Sequence, residues 1–426
     1  MNAQDKAAHR PRPAAAGGAV SAPWLMLLAL CAAFLMSNVY RTAAAILAPE
    51  LQARWGYTPQ QLGVFAAAFH FAFGVPQFVM GVGIDLYGLR RTVLAVFPLT
   101  VLGALLSAFS VDYPVLVLGQ VLIGIGCAPA FVVCTVFIAR RFEARRFAAV
   151  SGTALAFGSL GMLLTGTPLA WLVQAHSVQT AFGVMAALSA LAWVVVYAVV
   201  REPPLPASET RTVGLWPALC EFGRLLRLPQ TLGIMALGSV VYAAFITLRG
   251  LWLGPMLVAR YGYSLLESGH VALAVSVVAL LGPPVFGRLD PGPRTRRRWL
   301  VAGTLLMAAL FVGLTFAQAP WAGGALLLLI GSVSGYAVLQ YADVRAAYPE
   351  SQTGRALAAF TMAMFLGIAL MQWLTGLVAQ AAKGAGLDPY AVVLWAIALM
   401  LVLGAAMFAW LPAHNEGRPA APVSGS

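Results

Sequence analysis

Polar and charged positions divide this chain into a regular series of apolar runs. Twelve runs fall at 24–47, 61–82, 92–111, 114–138, 148–174, 179–200, 232–256, 270–289, 299–317, 325–347, 356–382 and 390–411. About 20 apolar residues cross the hydrocarbon core of a bilayer as a helix, so each run predicts one crossing. The connections carry a second pattern. PELQARWGYTPQQLG at 49–63 returns as PMLVARYGYSLLESG at 255–269, a fixed offset of 206. Pro49/Pro255, Leu51/Leu257, Ala53/Ala259, Arg54/Arg260, Gly56/Gly262, Tyr57/Tyr263 and Gly63/Gly269 are identical. Each copy joins the first and second runs of a set of six. The expected architecture is an all-α polytopic membrane protein of 12 transmembrane helices, built as two six-helix pseudo-symmetric bundles around a central cavity.

The expected organisation is an N-tail at 1–21, a first bundle at 22–200, a linker at 201–231, a second bundle at 232–412 and a C-tail at 413–426. Within the linker, LWPALCEFGRLLRL is apolar on one face and basic on the other, which predicts a helix lying in the membrane interface. The first apolar run is too long for a signal-peptide core and is read as a retained helix.

Composition agrees with a membrane protein. Hydrophobic residues make up 61% and charged residues only 9%, against about 25% charged in soluble proteins. The net charge of +12 does not point to nucleic acid, because the arginines sit in short connections and form no continuous basic face. Of the 26 Lys and Arg residues, 20 fall in the tails, in alternate connections or, for Arg288, at the edge of one, and Arg54, Arg260 and Lys383 fall in the others. That asymmetry places both termini in the cytoplasm, in a bacterial inner membrane. Cys31, Cys127, Cys134 and Cys220 show no paired spacing, so free thiols are expected, with no disulfide, metal or cofactor.

Between the second and third runs the chain reads GVGIDLYGLRR, which holds Gly81, Asp85, Gly88, Arg90 and Arg91. A worn copy lies between the eighth and ninth runs, with Gly287, Asp290, Arg294 and Arg296, and the spacing from Asp85 to Arg91 equals that from Asp290 to Arg296. A glycine permits the tight turn, and an aspartate suits the positive end of a helix. This pattern resembles the loop 2–3 signature of the major facilitator superfamily, over essentially 22–412. The resemblance implies a monomeric secondary transporter working by alternating access, with this loop as a gate latch against the start of helix 11. It also implies that helices 1, 4, 7 and 10 line the cavity. Two departures stand out. Gln120 occupies the place of a helix-4 arginine linked to proton coupling, which argues against proton antiport. The helix-5 antiporter signature is degraded: Gly152, Gly158, Gly161 and Gly166 are present, but Thr167 separates Gly166 from Pro168. Close helix packing accounts for those glycines.

Arg41 and Arg249 fall inside the first helix of each half. A charged side chain at a helix centre costs at least about 2.5 kcal/mol, so something must offset it. Here the chain is similar to the organic-anion branches of the superfamily, which place an arginine in helix 1 about eight residues before a proline; Pro49 follows Arg41 by eight. A guanidinium fork matches carboxylate or phosphate oxygens. Arg41 and Arg249 are therefore candidate anion ligands, with Asn38, Tyr40, Tyr242, Tyr336, Gln340 and Gln372 as further cavity candidates. The competing reading has each arginine reaching the membrane surface or pairing with Glu50 or Glu267. His70 is the candidate proton carrier, its competing role being a buried, hydrogen-bonded histidine. Asp343 and Arg345 suit gating or loop anchoring. Pro255, Pro283, Pro284 and the glycines of helices 4 and 5 are expected bending points.

The expected function is transport of a small organic anion, a coupling ion remaining open. The alternatives are export of hydrophobic or cationic drugs and a non-transporting membrane sensor. No GxSxG, HExxH or Walker loop supports an enzyme.

Overall fold

The computed structural model describes residues 22–110, 112–143, 146–201, 228–348 and 350–411. Both tails, the expected interfacial helix and Cys220 lie outside the described residues. The described chain folds into twelve helical columns. In the first half these are α1 (Ala22–Trp55), α2 (Pro59–Gly74 continued by Gln77–Tyr87), α3 (Leu89–Val96 and Pro98–Phe109), α4 (Tyr113–Cys127 and Pro129–Arg141), α5 (Phe147–Leu164 and Thr167–Ala175) and α6 (Val178–Val199). The second half has α7 (Pro229–Thr247, Leu248–Trp252 and Leu253–Tyr261), α8 (Leu265–Arg288), α9 (Pro293–Phe316), α10 (Pro320–Val333, Ser334–Ala337 and Val338–Ala347), α11 (Glu350–Gly384) and α12 (Pro389–Trp410).

Eleven of these columns are long and apolar enough to span a membrane. The exception is α2, divided at Val75–Pro76 into pieces of 16 and 11 residues. Proline lacks the N–H of the helical ladder and crowds the preceding turn. Pro98, Pro129 and Pro168 likewise open the second pieces of α3, α4 and α5. In contrast, α8 runs uninterrupted through Pro283 and Pro284. The break in α7 precedes Pro255 and is a π-helical turn, Leu248–Trp252.

The repeated motif encodes the same turn twice. Gly56 and Gly262 stop α1 and α7 at φ of 67° and 69°, a left-handed backbone open chiefly to glycine. Thr58 and Ser264 then cap α2 and α8, each closing a reciprocal capping box with Gln61 and Glu267.

The motif's last glycine joins the halves. A Cβ on Gly63 of α2 would meet the Gln372 carbonyl at 2.7 Å and Gly376 Cα at 2.8 Å on α11. On Gly269 of α8 it would meet Ala170 Cβ at 2.6 Å and the Gly166 carbonyl at 3.2 Å on α5. Gly166 and Ala170 lie 206 positions before Gln372 and Gly376, so one pseudo-symmetric contact is made in both places. Gly254 of α7 similarly presses on the Ala45 carbonyl of α1. All three seams lie towards the end of the bundle that carries the repeated turns, here the repeat end. The other end carries Arg90, Arg91, Arg140, Arg141 and the Arg294–Arg298 cluster, here the arginine-rich end. Towards it, among the described residues, a Cβ at Gly81, Gly152, Gly287 or Gly354 on the same four helices would meet nothing within 4 Å. The bundle is thus sealed at the repeat end.

Candidate functional site

Asn38 and Arg41 are one turn apart on α1, a spacing that puts both on one face. The Asn38 amide donates to the Phe34 carbonyl at 3.1 Å, which turns its Oδ1 towards Arg41. Arg41 Nη1 donates to that Oδ1 at 3.2 Å and to the Tyr242 hydroxyl, from α7, at 3.4 Å. The rings of Phe73 on α2 and Phe365 on α11 flank the guanidinium at 5.2 and 4.8 Å and touch each other at 4.4 Å. Such contacts stabilise a cation on its faces and leave its in-plane donors to other partners. Arg41 is 6% exposed, and its Nε is buried without a partner.

Arg249 occupies the π-helical turn of α7 and is completely buried. Its Nε donates to the Ala272 carbonyl at 3.1 Å and to Ser276 Oγ at 2.8 Å, both on α8. Its Nη2 crosses to the other half, donating to the Met162 carbonyl at 3.0 Å and Thr165 Oγ1 at 3.2 Å on α5. Thr165 also bonds Thr42 of α1 at 2.7 Å. Arg249 therefore laces α7 and α8 to α5, with Nη1 alone unpartnered.

Among the described residues, neither arginine has a carboxylate partner. Glu50 pairs with Arg54 at 2.7 Å, and Glu267 is spent on the Ser264 cap. Burial also rules out Arg249 reaching the membrane surface. The pairing and surface readings of these arginines both fail.

The remaining candidates separate. Tyr242 joins Arg41, as described. Tyr40 turns away from it, its hydroxyl bonding Ser189 of α6 at 3.0 Å. Tyr336 bonds Thr304 of α9 at 2.9 Å and packs over Gly303. Gln340 is 3% exposed with neither amide atom partnered, and no described contact brings it to Arg41. His70 donates from Nδ1 to the Ala66 carbonyl at 3.1 Å, since a carbonyl can only accept; Nε2 is buried and unpartnered. Gln372 of α11 lies beside this imidazole. Phe73 and Phe365 escaped sequence reasoning, because nothing in the chain marks which aromatic residues meet across α2 and α11.

The gating-loop residues form two unlike arrangements. Gly88 takes φ of 87° at the turn between α2 and α3. Arg90 donates to the Tyr197 carbonyl of α6 at 3.0 Å and lies over its ring, while Arg91 is exposed. Gly81 and Asp85 belong to the second piece of α2, the Asp85 side chain lying outside what is described. In the second copy Asp290 grips Arg296 with both oxygens, at 2.9 and 2.6 Å, and Arg296 also reaches the Ala342 carbonyl of α10 at 3.2 Å. The Arg296 hydrogen bonds hold the Asp290 carboxyl below its ordinary value.

Three of the four helix-5 glycines serve packing: Gly158 lies against the Phe34 ring, Gly161 against the Leu35 carbonyl and Gly166 against Leu273, whereas a Cβ at Gly152 would meet no described atom. Cys31, Cys127 and Cys134 are free and buried.

Comparison with known proteins agrees with this architecture. The Major Facilitator Superfamily matches residues 25–341 and 255–424. A Cupriavidus necator (strain ATCC 17699) protein described as probable sulfoacetate transporter SauU is 24% identical over 174 residues. That alignment spans 41% of this chain and 40% of the relative, well under half of either. Among solved structures, a D-xylose-proton symporter superposes with a TM-score of 0.74 at 17% identity, covering 93% of this chain and 99% of that one. A bacterial homolog of the human lysosomal transporter Spinster, inward-facing and unoccupied, gives 0.70 at 16% identity, covering 92% and 97%. Its inward-facing, occupied form gives 0.71 at 15% identity with the same coverage. At these identities the structural likeness is one of fold. With the family match running across nearly all of the twelve-helix bundle, the chain belongs to the Major Facilitator Superfamily of transporters.

Proposed function

We propose that this protein carries a small organic anion, bearing a carboxylate or sulfonate group, by alternating access, with Arg41 as its anchor. The observation that carries this reading is the state of Arg41. It is a guanidinium in mid-membrane with no acidic partner among the described residues, two hydrogen bonds from one nitrogen and unused donors. An unpaired buried charge is costly, and an anionic solute would supply the missing countercharge through a two-pronged contact. The second unpaired guanidinium, Arg249, adds to the positive potential. A cationic drug would be repelled by the same pair, which disfavours the exporter alternative. The partial likeness to a protein described as a probable sulfoacetate transporter points the same way.

The arginine-rich end is assigned to the cytoplasm of a bacterial inner membrane, following the bias of Lys and Arg. This conformation then faces inward, with its outer gate shut. The two moving bodies are 22–200 and 232–412, joined through 201–231.

Uptake into proteoliposomes tests the reading. Arg41→Lys keeps the charge but loses the fork. It is expected to weaken apparent affinity for a transported carboxylate or sulfonate about 10- to 100-fold, equivalent to about 1.4–2.8 kcal/mol. Unchanged affinity would overturn Arg41 as the anchor.

A further inference from the structure

We propose that His70 and Gln372 form a second polar subsite for the transported anion, sealed between α2 and α11 in this conformation and uncovered when the halves part at the repeat end. The proposal rests on the anion reading of Arg41.

Burial and hydrogen bonding come first. His70 is 1% exposed and Gln372 0%. His70 Nε2, Gln372 Nε2 and Gln372 Oε1 make no well-formed hydrogen bond, the imidazole and the amide interacting only weakly with each other. Sealed, unpaired polar atoms raise the free energy of the conformation that seals them. Apolar side chains of similar size would pack there without that cost. A conformation in which these atoms meet a solute offsets it.

Position comes second. His70 precedes Phe73 by one turn of α2, and Gln372 follows Phe365 by two turns of α11. Phe73 and Phe365 are the rings that flank Arg41. Because α2 and α11 run antiparallel, both steps lead towards the repeat end. The subsite thus continues the Arg41 site along the same seam. The Gln372 N–H groups can donate to a carboxylate or sulfonate oxygen, and the ring nitrogen of His70 stands beside them.

The seam itself comes third. Gly63 lies directly against Gln372 and Gly376. Backbone meets backbone there with no interlocking side chains, so the surfaces can part and close again. The pseudo-symmetric counterpart of His70 is Ser276, and that of Gln372 is Gly166. Ser276 is fully engaged, accepting from Arg249 and donating to the Ala272 carbonyl. The α5–α8 pair leaves Ser268 Oγ and Arg249 Nη1 unmet, but neither lies at the positions equivalent to His70 and Gln372.

The test uses the full chain with His70→Leu and, independently, Gln372→Met, which is close in volume. Two quantities are read: the thermal midpoint without solute, and apparent affinity for a carboxylate or sulfonate offered from each face of oriented proteoliposomes. The expected result is a midpoint raised by about 2–4 °C. Affinity at the repeat end should fall about 10-fold or more, with affinity at the arginine-rich end within about 2-fold of wild type. A lowered midpoint with unchanged affinity at both faces overturns the subsite, as does an equal loss at both faces. If Arg41→Lys still weakens transport while these variants leave repeat-end affinity intact, only the subsite fails. If anions are not transported at all, the anion reading fails with it.

Discussion

The two seams that close the repeat end share a register and differ in chemistry. Gly63 meets Gln372 and Gly376 at one, and Gly269 meets Gly166 and Ala170 at the other, each pair of contacts offset by 206. At the α5–α8 seam, Arg249 spends its donors on Met162, Thr165, Ala272 and Ser276, and His270 bonds Thr167 across the halves at 2.8 Å. At the α2–α11 seam, His70 and Gln372 leave polar atoms unmet, and Arg41 lies close by against Phe73 and Phe365. Duplicated geometry lets both seams open and close together. Divergent side chains fasten one seam through Arg249 and leave His70 and Gln372 unmet at the other, which adjoins the Arg41 guanidinium. A pair of equivalent arginines would have been a symmetric site; these two are not equivalent.

Breaking the shared geometry should have the largest effect. Gly63→Val and Gly269→Val each place atoms where backbone already stands. Overpacking costs about 2–3 kcal/mol, a shift of about 30- to 150-fold against the closed conformation. Labelling of a cysteine introduced at the repeat end by a membrane-impermeant thiol reagent should rise accordingly in both variants, with transport falling. A strong effect in one alone would show the seams to be mechanically independent.

The fastening is tested next. Arg249→Met removes the hydrogen bonds that its guanidinium makes to Met162, Thr165, Ala272 and Ser276 across α5 and α8 and should destabilise the protein by about 3 kcal/mol. Arg41→Met removes fewer bonds and relieves an unpaired charge, so its thermal midpoint should stay near wild type or rise while solute binding is lost. The reverse ranking would exchange the roles assigned to the two arginines.

The smallest effect concerns the loops at the arginine-rich end. Asp290→Asn breaks the grip on Arg296 and should cost no more than about 1 kcal/mol. The folded carboxyl is held below its ordinary value of 3.8, so the pair's contribution is complete above the ordinary carboxylate range and is lost as pH falls through the lowered value. The difference in midpoint between wild type and Asp290→Asn should therefore be steady from neutral pH to about pH 5 and shrink only in stronger acid. A difference that fades already between pH 7 and 5 would contradict the assignment.

Much of the fold was legible because apolar runs record crossings and the repeat records the symmetry. Gly56, Gly262, Gly63 and Gly269 were marked as identities of the repeat, while the turn and cap roles of Gly56, Gly262, Thr58 and Ser264 are seen in the structure. The division of α2 at Val75–Pro76 was not legible, since its apolar run passes through the proline unbroken. Around Arg41, the sequence offered Asn38 only as one polar candidate among several, and its contact with Arg41 is seen in the structure. Tyr40 and Tyr336 were placed in the right helices but not on the right faces, because a run that is apolar throughout gives depth without azimuth. Arg249 depended on a π-helical turn that shifts the register of α7, and two of its partners are backbone carbonyls that no side-chain pattern reveals. The approach of His70 to Gln372 depends on how closely α2 packs on α11, which only the assembled bundle shows.

Arg41 is proposed to await an anion. The most direct measurement is the thermal midpoint of purified wild type and Arg41→Lys, each with sulfoacetate, short monocarboxylates, phosphate esters and a lipophilic cation. A ligand of the folded state raises the midpoint as its concentration passes the dissociation constant. The account predicts that at least one anion stabilises wild type, that the stabilisation is lost or greatly weakened in Arg41→Lys, and that the cation does nothing. Stabilisation by the cation alone, or by an anion equally in both proteins, would contradict it.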